Sequence, residues 1–230
     1  MTEEIIKVKD VSKVYGMDGV KVQALGSINL GIKNGEFTAI AGPSGSGKTT
    51  LLNLMSGLDI PTSGSVMLSG KLISDMKGSD LSDFRRDHIG FIFQSYNLIP
   101  VLSVRENIEY VMLLQGIGKD ERRSRVGSIL SEVGLAGMEK RKPGQLSGGQ
   151  QQRVAVARAM VTNPDIILAD EPTANLDSAT GAGLLDMMRE LNEKRGMTFV
   201  FSTHDAMIME RSKRLIILKD GHIEKDEQRG

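Results

Sequence analysis

The chain has 230 residues, 40% of them apolar, with 29 Lys and Arg against 29 Asp and Glu, and it contains neither Cys nor Trp. That length suffices for one large domain or a domain with a subdomain, and the composition excludes tails, fibres, disulfide scaffolds and thiolate metal sites. Formal neutrality argues against a protein that coats nucleic acid, whose phosphates recruit a clear Lys and Arg excess, so no nucleic-acid partner is expected.

In chain order, Met1-Thr2-Glu3-Glu4 is acidic with no apolar run behind it, which predicts no export signal. Short β-type runs follow at Ile5 to Val11, Phe37 to Ala41, Gly64 to Leu68 and Ile89 to Phe93. After Tyr96 the pattern turns helical, with segments at Val104 to Gln115, Asp120 to Val133 and Gly148 to Val161. Strands resume at Ile166 to Ala169, Thr198 to Ser202 and Leu215 to Lys219, around a long helix from Ala179 to Arg195. Asp220-Gly221 before Ile223 predicts a type I′ hairpin, and the charged tail from Lys225 to Gly230 is expected to fray. No apolar run approaches the roughly 18 to 20 residues that span a bilayer.

This order predicts an α/β fold: a phosphate-loop core with a β-rich N-terminal part and an inserted all-helical subdomain. The core is assigned to 1–95 and 162–230 and the insert to 96–161, with seams near Gln94 and Pro164. Glycine is in excess, 26 residues where about 7% is usual.

Part of that excess has a chemical reason. Gly42-Pro43-Ser44-Gly45-Ser46-Gly47-Lys48-Thr49, followed by Thr50, fits G-x-x-x-x-G-K-[ST] between a buried strand and a helix. Glycines let successive N–H groups turn onto an anion, and the helix N-terminus adds its positive dipole end. The pattern predicts a bound nucleotide with Mg²⁺, Lys48 reaching the β- and γ-phosphates and the Thr49 hydroxyl the metal.

Asp170 and Glu171 end an apolar strand where ligands of α/β sheets bind, and as neighbours in a strand they face opposite ways. Asp170 suits the Mg²⁺ shell, and Glu171 is then free to act as general base on water. In Leu146-Ser147-Gly148-Gly149-Gln150, Ser147 and Gln150 read as a capping box. Two glycines in a first helical turn, each costing up to about 1 kcal/mol relative to Ala, imply close approach of something to that backbone.

These motifs in this order resemble the ATP-binding subunits of ABC transporters, and the resemblance covers essentially the whole chain. It implies an ATPase that pairs head to tail with a second copy, Ser147, Gly148, Gly149 and Gln150 of one facing the nucleotide held by Lys48 of the other. It further implies that Tyr15 stacks on adenine, that Gln94 senses Mg²⁺ and γ-phosphate, that Asp177 belongs to a loop crossing the pair, and that His204 is a γ-phosphate switch. A GTPase is disfavoured by the lack of Asn-Lys-x-Asp, and a coiled-coil chromosome ATPase by the 99 residues between Lys48 and Ser147. A soluble ABC ATPase of iron–sulfur cluster assembly is the alternative.

Gln94-Ser95-Tyr96-Asn97-Leu98-Ile99-Pro100-Val101 and its continuation to Asn107 resemble the subgroup of lipoprotein release and macrolide or peptide export. That resemblance implies a polytopic membrane permease docked near Tyr96 to Val104. It also implies a cytoplasmic location on the inner face of the membrane.

Overall fold

The computed structural model describes residues 4–17 and 20–229. A central sheet holds six strands in the order β10 (His222–Gln228), β9 (Arg214–Lys219), β3 (Phe37–Ala41), β8 (Thr198–Thr203), β7 (Ile166–Asp170) and β6 (Ile89–Ile92). From β9 to β6 all pairs are parallel, and β10 closes one edge antiparallel to β9. Strands buried on both faces read as continuous apolar runs, and alternate residues serve different cores. Phe37, Ala39, Ile167, Phe199 and Phe201 face one core, whereas Ile40, Ile166, Leu168, Val200 and Ile216 face the other.

On the second face, α1 (Lys48–Met55) lies between this sheet and an antiparallel sheet. That sheet has the order β2 (Val20–Lys33), β1 (Glu4–Met17), β4 (Ser63–Leu68) and β5 (Lys71–Leu72). Leu51, Leu52, Leu54 and Met55 of α1 are buried there. Between β6 and β7 the described chain is helical: α3 (Val104–Leu114), α4 (Lys119–Glu132) and α5 (Gly148–Met160). Their apolar faces, including Ile108, Met112, Ile129, Leu130 and Val156, join the first core without a break. Met187 and Met188 of α6 (Ser178–Arg195) fill the same core, as their sequence positions suggest.

Three features differ from expectation. The strand expected to stop at Val11 continues to Met17 and pairs with β2, which has no strand signal. Bulges are the reason: the β1–β2 register shifts between Val8 and Val11 and again after it, with Asp10 and Ser27 at positive φ, so the two-residue alternation is broken. Neither α2 (Gly78–His88), which buries no residue, nor α7 (Ala206–Arg211), which buries Ile208 alone, has an apolar stripe to read.

The tail is the third difference. Lys225 to Gln228 is not frayed but paired in β10, and its charge is used: Arg214 donates to Asp226 at 2.8 and 2.6 Å and to Glu36 at 2.9 Å. Gly230 and Met1 to Glu3 lie outside the described residues. The preceding hairpin has Asp220 at φ 46° and Gly221 at φ 75°, the two positive values a type I′ turn requires. Among the described residues no helix is long and apolar enough to cross a membrane.

Candidate functional site

The turn from β3 into α1 sits at the C-terminal ends of the parallel strands, where it opens a cleft of about 500 Å³. Ser44, Gly45, Gly47, Lys48, Thr49 and Thr50 line it, together with Ala24, Gln94, Glu171 and His204. Gly45 and Gly47 take φ of 80° and 102°, the left-handed region that favours glycine. Gly42 is required by packing instead, since a Cβ there would stand 2.0 Å from the Leu218 carbonyl oxygen.

Gly47 caps α1 with no side-chain hydrogen bond, so the first turn of that helix presents N–H groups without an internal side-chain acceptor. Lys48 is buried and its Nζ donates to the carbonyls of Gly42 and Pro43 at 2.8 and 3.0 Å, folded over its own loop. Ser46 turns inward, and its buried Oγ has no partner among the described residues. The turn thus fits an anion: open glycines, free N–H groups and a lysine at one end of a cleft.

Thr49 donates to Asp170 Oδ1 at 3.3 Å, and Ser202 donates to the same oxygen. A hydroxyl and a carboxylate, with the Gln94 amide on the same cleft, are hard oxygen donors that fit Mg²⁺. Among the described residues no cluster of three or more His, Cys, Asp and Glu is placed to hold a metal alone.

Glu171 stands at φ 46°, where the chain leaves the extended geometry of β7. His204 Nδ1 lies 2.8 Å from Glu171 Oε1, and the Thr203 hydroxyl and His204 N–H approach Oε2 at 3.4 Å. Glu171 is mostly buried and the His204 ring mostly exposed, so the carboxylate is fixed from the protein side and open toward the cleft.

Tyr15 lies outside the cleft lining. Its hydroxyl donates to Asp59 at 2.7 Å, and Lys13 Nζ sits 4.8 Å from its ring centre. Burial and the Asp59 contact push its pKa up.

Ser147, Gly148, Gly149, Gln150 and Asp177 do not line this cleft. Ser147 caps α5 by accepting from Gln150 N at 3.3 Å, while Gln150 accepts from Ser147 N at 3.0 Å, so the expected capping box is present. The glycines have near neighbours in the chain itself. A Cβ on Gly149 would stand 2.3 Å from the Thr180 methyl, and one on Gly148 would stand 3.0 Å from the Tyr96 hydroxyl. Asp177 caps α6, accepting from Thr180 N at 3.0 Å and Thr180 Oγ1 at 2.6 Å, and these bonds hold its carboxyl below the usual range.

Gln94 follows β6 and is exposed at the head of the loop that leads to α3. Its carbonyl accepts from Asn175 Nδ2 at 2.8 Å. Tyr96 and Asn97 both have positive φ, 57° and 48°, and Arg158 of α5 donates to their carbonyls at 2.8 and 2.6 Å. Left-handed geometry costs a bulky residue such as Tyr96 about 1–2 kcal/mol, whereas Asn97 tolerates it more readily, so Tyr96 is the residue that requires external support. Further along the loop, buried Asn107 donates to the carbonyls of Ile99, Leu102 and Ser103, leaving Val101 exposed at the tip.

Ala24, Arg158, Asn175, Ser202 and Thr203 had no signal of their own in the sequence, because each acts on a partner far along the chain, and Thr180 meets Gly149 only in the fold. Asn175 and Thr180 stand near Asp177, and Ser202 and Thr203 near His204, residues already singled out. Of the arginines at 122, 123 and 125, Arg122 faces Glu109 at 3.6 Å and Arg125 pairs with Glu121 at 2.6 Å. The Arg125 pair lies on the solvated side of the helix, whereas Arg122 is mostly buried and also donates to the Ile117 carbonyl at 2.6 Å.

A family model described as ABC transporter matches residues 25–174. An uncharacterized ABC transporter ATP-binding protein of Methanocaldococcus jannaschii, MJ0796, is 47% identical over 97% of each chain. A macrolide export ATP-binding/permease protein of Hyphomonas neptunium is 46% identical over 98% of this chain, which spans only 35% of that relative. A dimeric structure of a post-hydrolysis state of the ATP-binding cassette MJ0796, bound to ADP and Pi, matches with a TM-score of 0.90 at 46% identity, over 98% of this chain and 99% of that one. None of these relatives is an iron–sulfur assembly protein, and that alternative is not supported.

Proposed function

The chain belongs to the ABC transporter family of ATP-binding proteins, and on that premise we propose which residues make it the ATP-hydrolysing subunit of a transporter. The observation that carries the reading is the division of its expected ligands. One set converges on a cleft, and the other lies at a helix end that lines no part of it.

In the cleft, the loop from Gly42 to Thr50 receives the phosphates on its N–H groups, and Lys48 moves from its own carbonyls to the β- and γ-phosphates. Tyr15 packs beside the base. Thr49, Asp170 and Gln94 hold Mg²⁺, which when bound neutralises phosphate charge. Glu171 accepts the proton of the attacking water, and His204 keeps that carboxylate aimed. Hydrolysis then rests on positioning and electrostatic stabilisation, as phosphoryl transfer generally does.

Two copies pack head to tail, with Ser147 to Gln150 and Asp177 of each completing the other's cleft. A symmetric pair gives two such composite sites. The dimeric relative supports this arrangement.

The segment 96–161 moves as a body against the core, carrying a docking surface for a polytopic permease near Tyr96 to Val104. Support comes from exposed Val101 on a pinned tip and from a groove of about 350 Å³ lined by Leu58, Phe91, Phe93, Tyr110 and Leu114. Likeness to the ATP-binding part of a macrolide export protein supports export or envelope lipoprotein handling, on the cytoplasmic face of the membrane. The permease selects the cargo.

The test is purification of the tagged chain from native membranes. Recovery of a polytopic protein, lost on Val101→Asp, is expected. A chain that brings no membrane protein with it overturns the permease assignment.

A further inference from the structure

Resting on the role proposed for Gln94, we propose that Arg158 is a positioning residue for it, a pin that makes the Gln94 loop and the start of α5 one mechanical unit. Three observations converge. The Arg158 guanidinium donates to two successive carbonyls, Tyr96 and Asn97, and both residues have positive φ. Asn tolerates left-handed φ but the bulky Tyr96 does not, so the bend two residues after Gln94 depends on what holds Tyr96 in place.

That bend has consequences on both sides. It turns the Tyr96 hydroxyl toward Gly148 at the head of α5 and to 3.5 Å from the Asn175 carbonyl. Asn175 in turn donates back to the Gln94 carbonyl, closing a ring of contacts among the three segments. Arg158 and Gly148 belong to the same helix. A shift of Gln94 in one nucleotide cleft is therefore transmitted to the helix end that meets the other. A planar fork holds its donors to the two carbonyls in fixed directions, whereas a Lys ammonium is a compact point on a flexible stem and would hold them less rigidly.

The test compares the intact chain with Arg158→Met, Arg158→Lys and the double variant Arg158→Met with Asn97→Gly. Glycine adopts left-handed φ without support, so the double variant separates loss of the bend from loss of the side chain. Hydrogen exchange is read on the nucleotide-free protein at Tyr96 and Asn97, with Leu168 in β7 as the reference for global stability. The turnover number and KM for ATP are read alongside.

Arg158→Met is expected to speed exchange at Tyr96 and Asn97 about tenfold while Leu168 keeps its protection. Turnover falls on the order of 10- to 100-fold with KM little changed, as misplacement of an aligning group does. Arg158→Lys falls between, and adding Asn97→Gly recovers most of both losses. Native exchange in Arg158→Met overturns the pin. Loosened exchange with unchanged turnover overturns the link to Gln94. Equal loss at Leu168 without recovery in the double variant makes Arg158 merely structural and also overturns it. An intact chain that does not hydrolyse ATP defeats the functional reading instead, while exchange still decides the pin.

Discussion

Helix α1 begins behind a glycine and α5 begins on two, and they treat their N-termini in opposite ways. At α1 the cap is Gly47 with no side-chain bond, and Lys48, Thr49, Glu171 and His204 surround the opening. At α5 the chain satisfies its own donors through the Ser147–Gln150 box, the glycines pack on Thr180 and Tyr96, and none of the four lines the cleft at α1. An anion site that is complete within one chain leaves its N–H groups free and encloses them. A helix end already capped becomes a site only when another molecule supplies the remaining walls.

The largest test addresses the first helix. Glu171→Gln is expected to lower turnover by roughly 10²- to 10⁴-fold and to leave ATP binding intact, since the N–H cradle is untouched. Gel filtration with ATP should then show a dimer, and a strictly monomeric profile breaks the contrast between the two helices. Next, Ser147→Arg should cost on the order of 10²- to 10³-fold in phosphate release while the isolated subunit keeps its ATP affinity, as loss of a stabilising donor does. Weakened binding in the monomer would place α5 in its own chain's cleft.

A smaller effect divides the two uses of Gly149. Overpacking costs about 1–3 kcal/mol and the helix preference of Ala over Gly returns about 1 kcal/mol, so Gly149→Ala should lower the melting temperature by a few degrees. Thr180 cannot swing its methyl aside freely because Oγ1 is bound to Asp177. Adding Thr180→Ser removes that methyl, keeps the hydroxyl and should restore stability. Hydrolysis that stays low in the double variant shows that a second chain needs the glycine. Full recovery shows that only Thr180 does.

The smallest effect is a pH dependence. The Asp177 carboxyl is held below its usual range by Thr180, so its cap contributes fully above the unfolded value near 3.9 and is lost as pH falls through the lowered value. Asp177→Asn should therefore flatten the acid limb of thermal stability and change little at neutral pH. An unchanged acid limb would remove Asp177 from the α6 cap.

Legibility followed range. The loop from Gly42 to Thr50, the Asp170-Glu171 pair, the Ser147 box and the Asp220-Gly221 turn were readable, because each is short and its chemistry lies in neighbouring residues. The continuation of β1 into β2 was not, because bulges at Asp10 and Ser27 break alternation. The paired tail was not either, because Asp226 is satisfied by Arg214, twelve residues away and on another strand.

By itself the sequence determined the family, the nucleotide, the place of the paired carboxylates Asp170 and Glu171 and the two helix starts. Backbone conformation and side-chain type over five to ten residues dictate those features. Only the tertiary structure decided that Thr180 fills the space over Gly149, that Asn175 holds Gln94 and that Arg158 supports two left-handed residues. Such partners meet by packing of distant elements, and no local preference records where they meet.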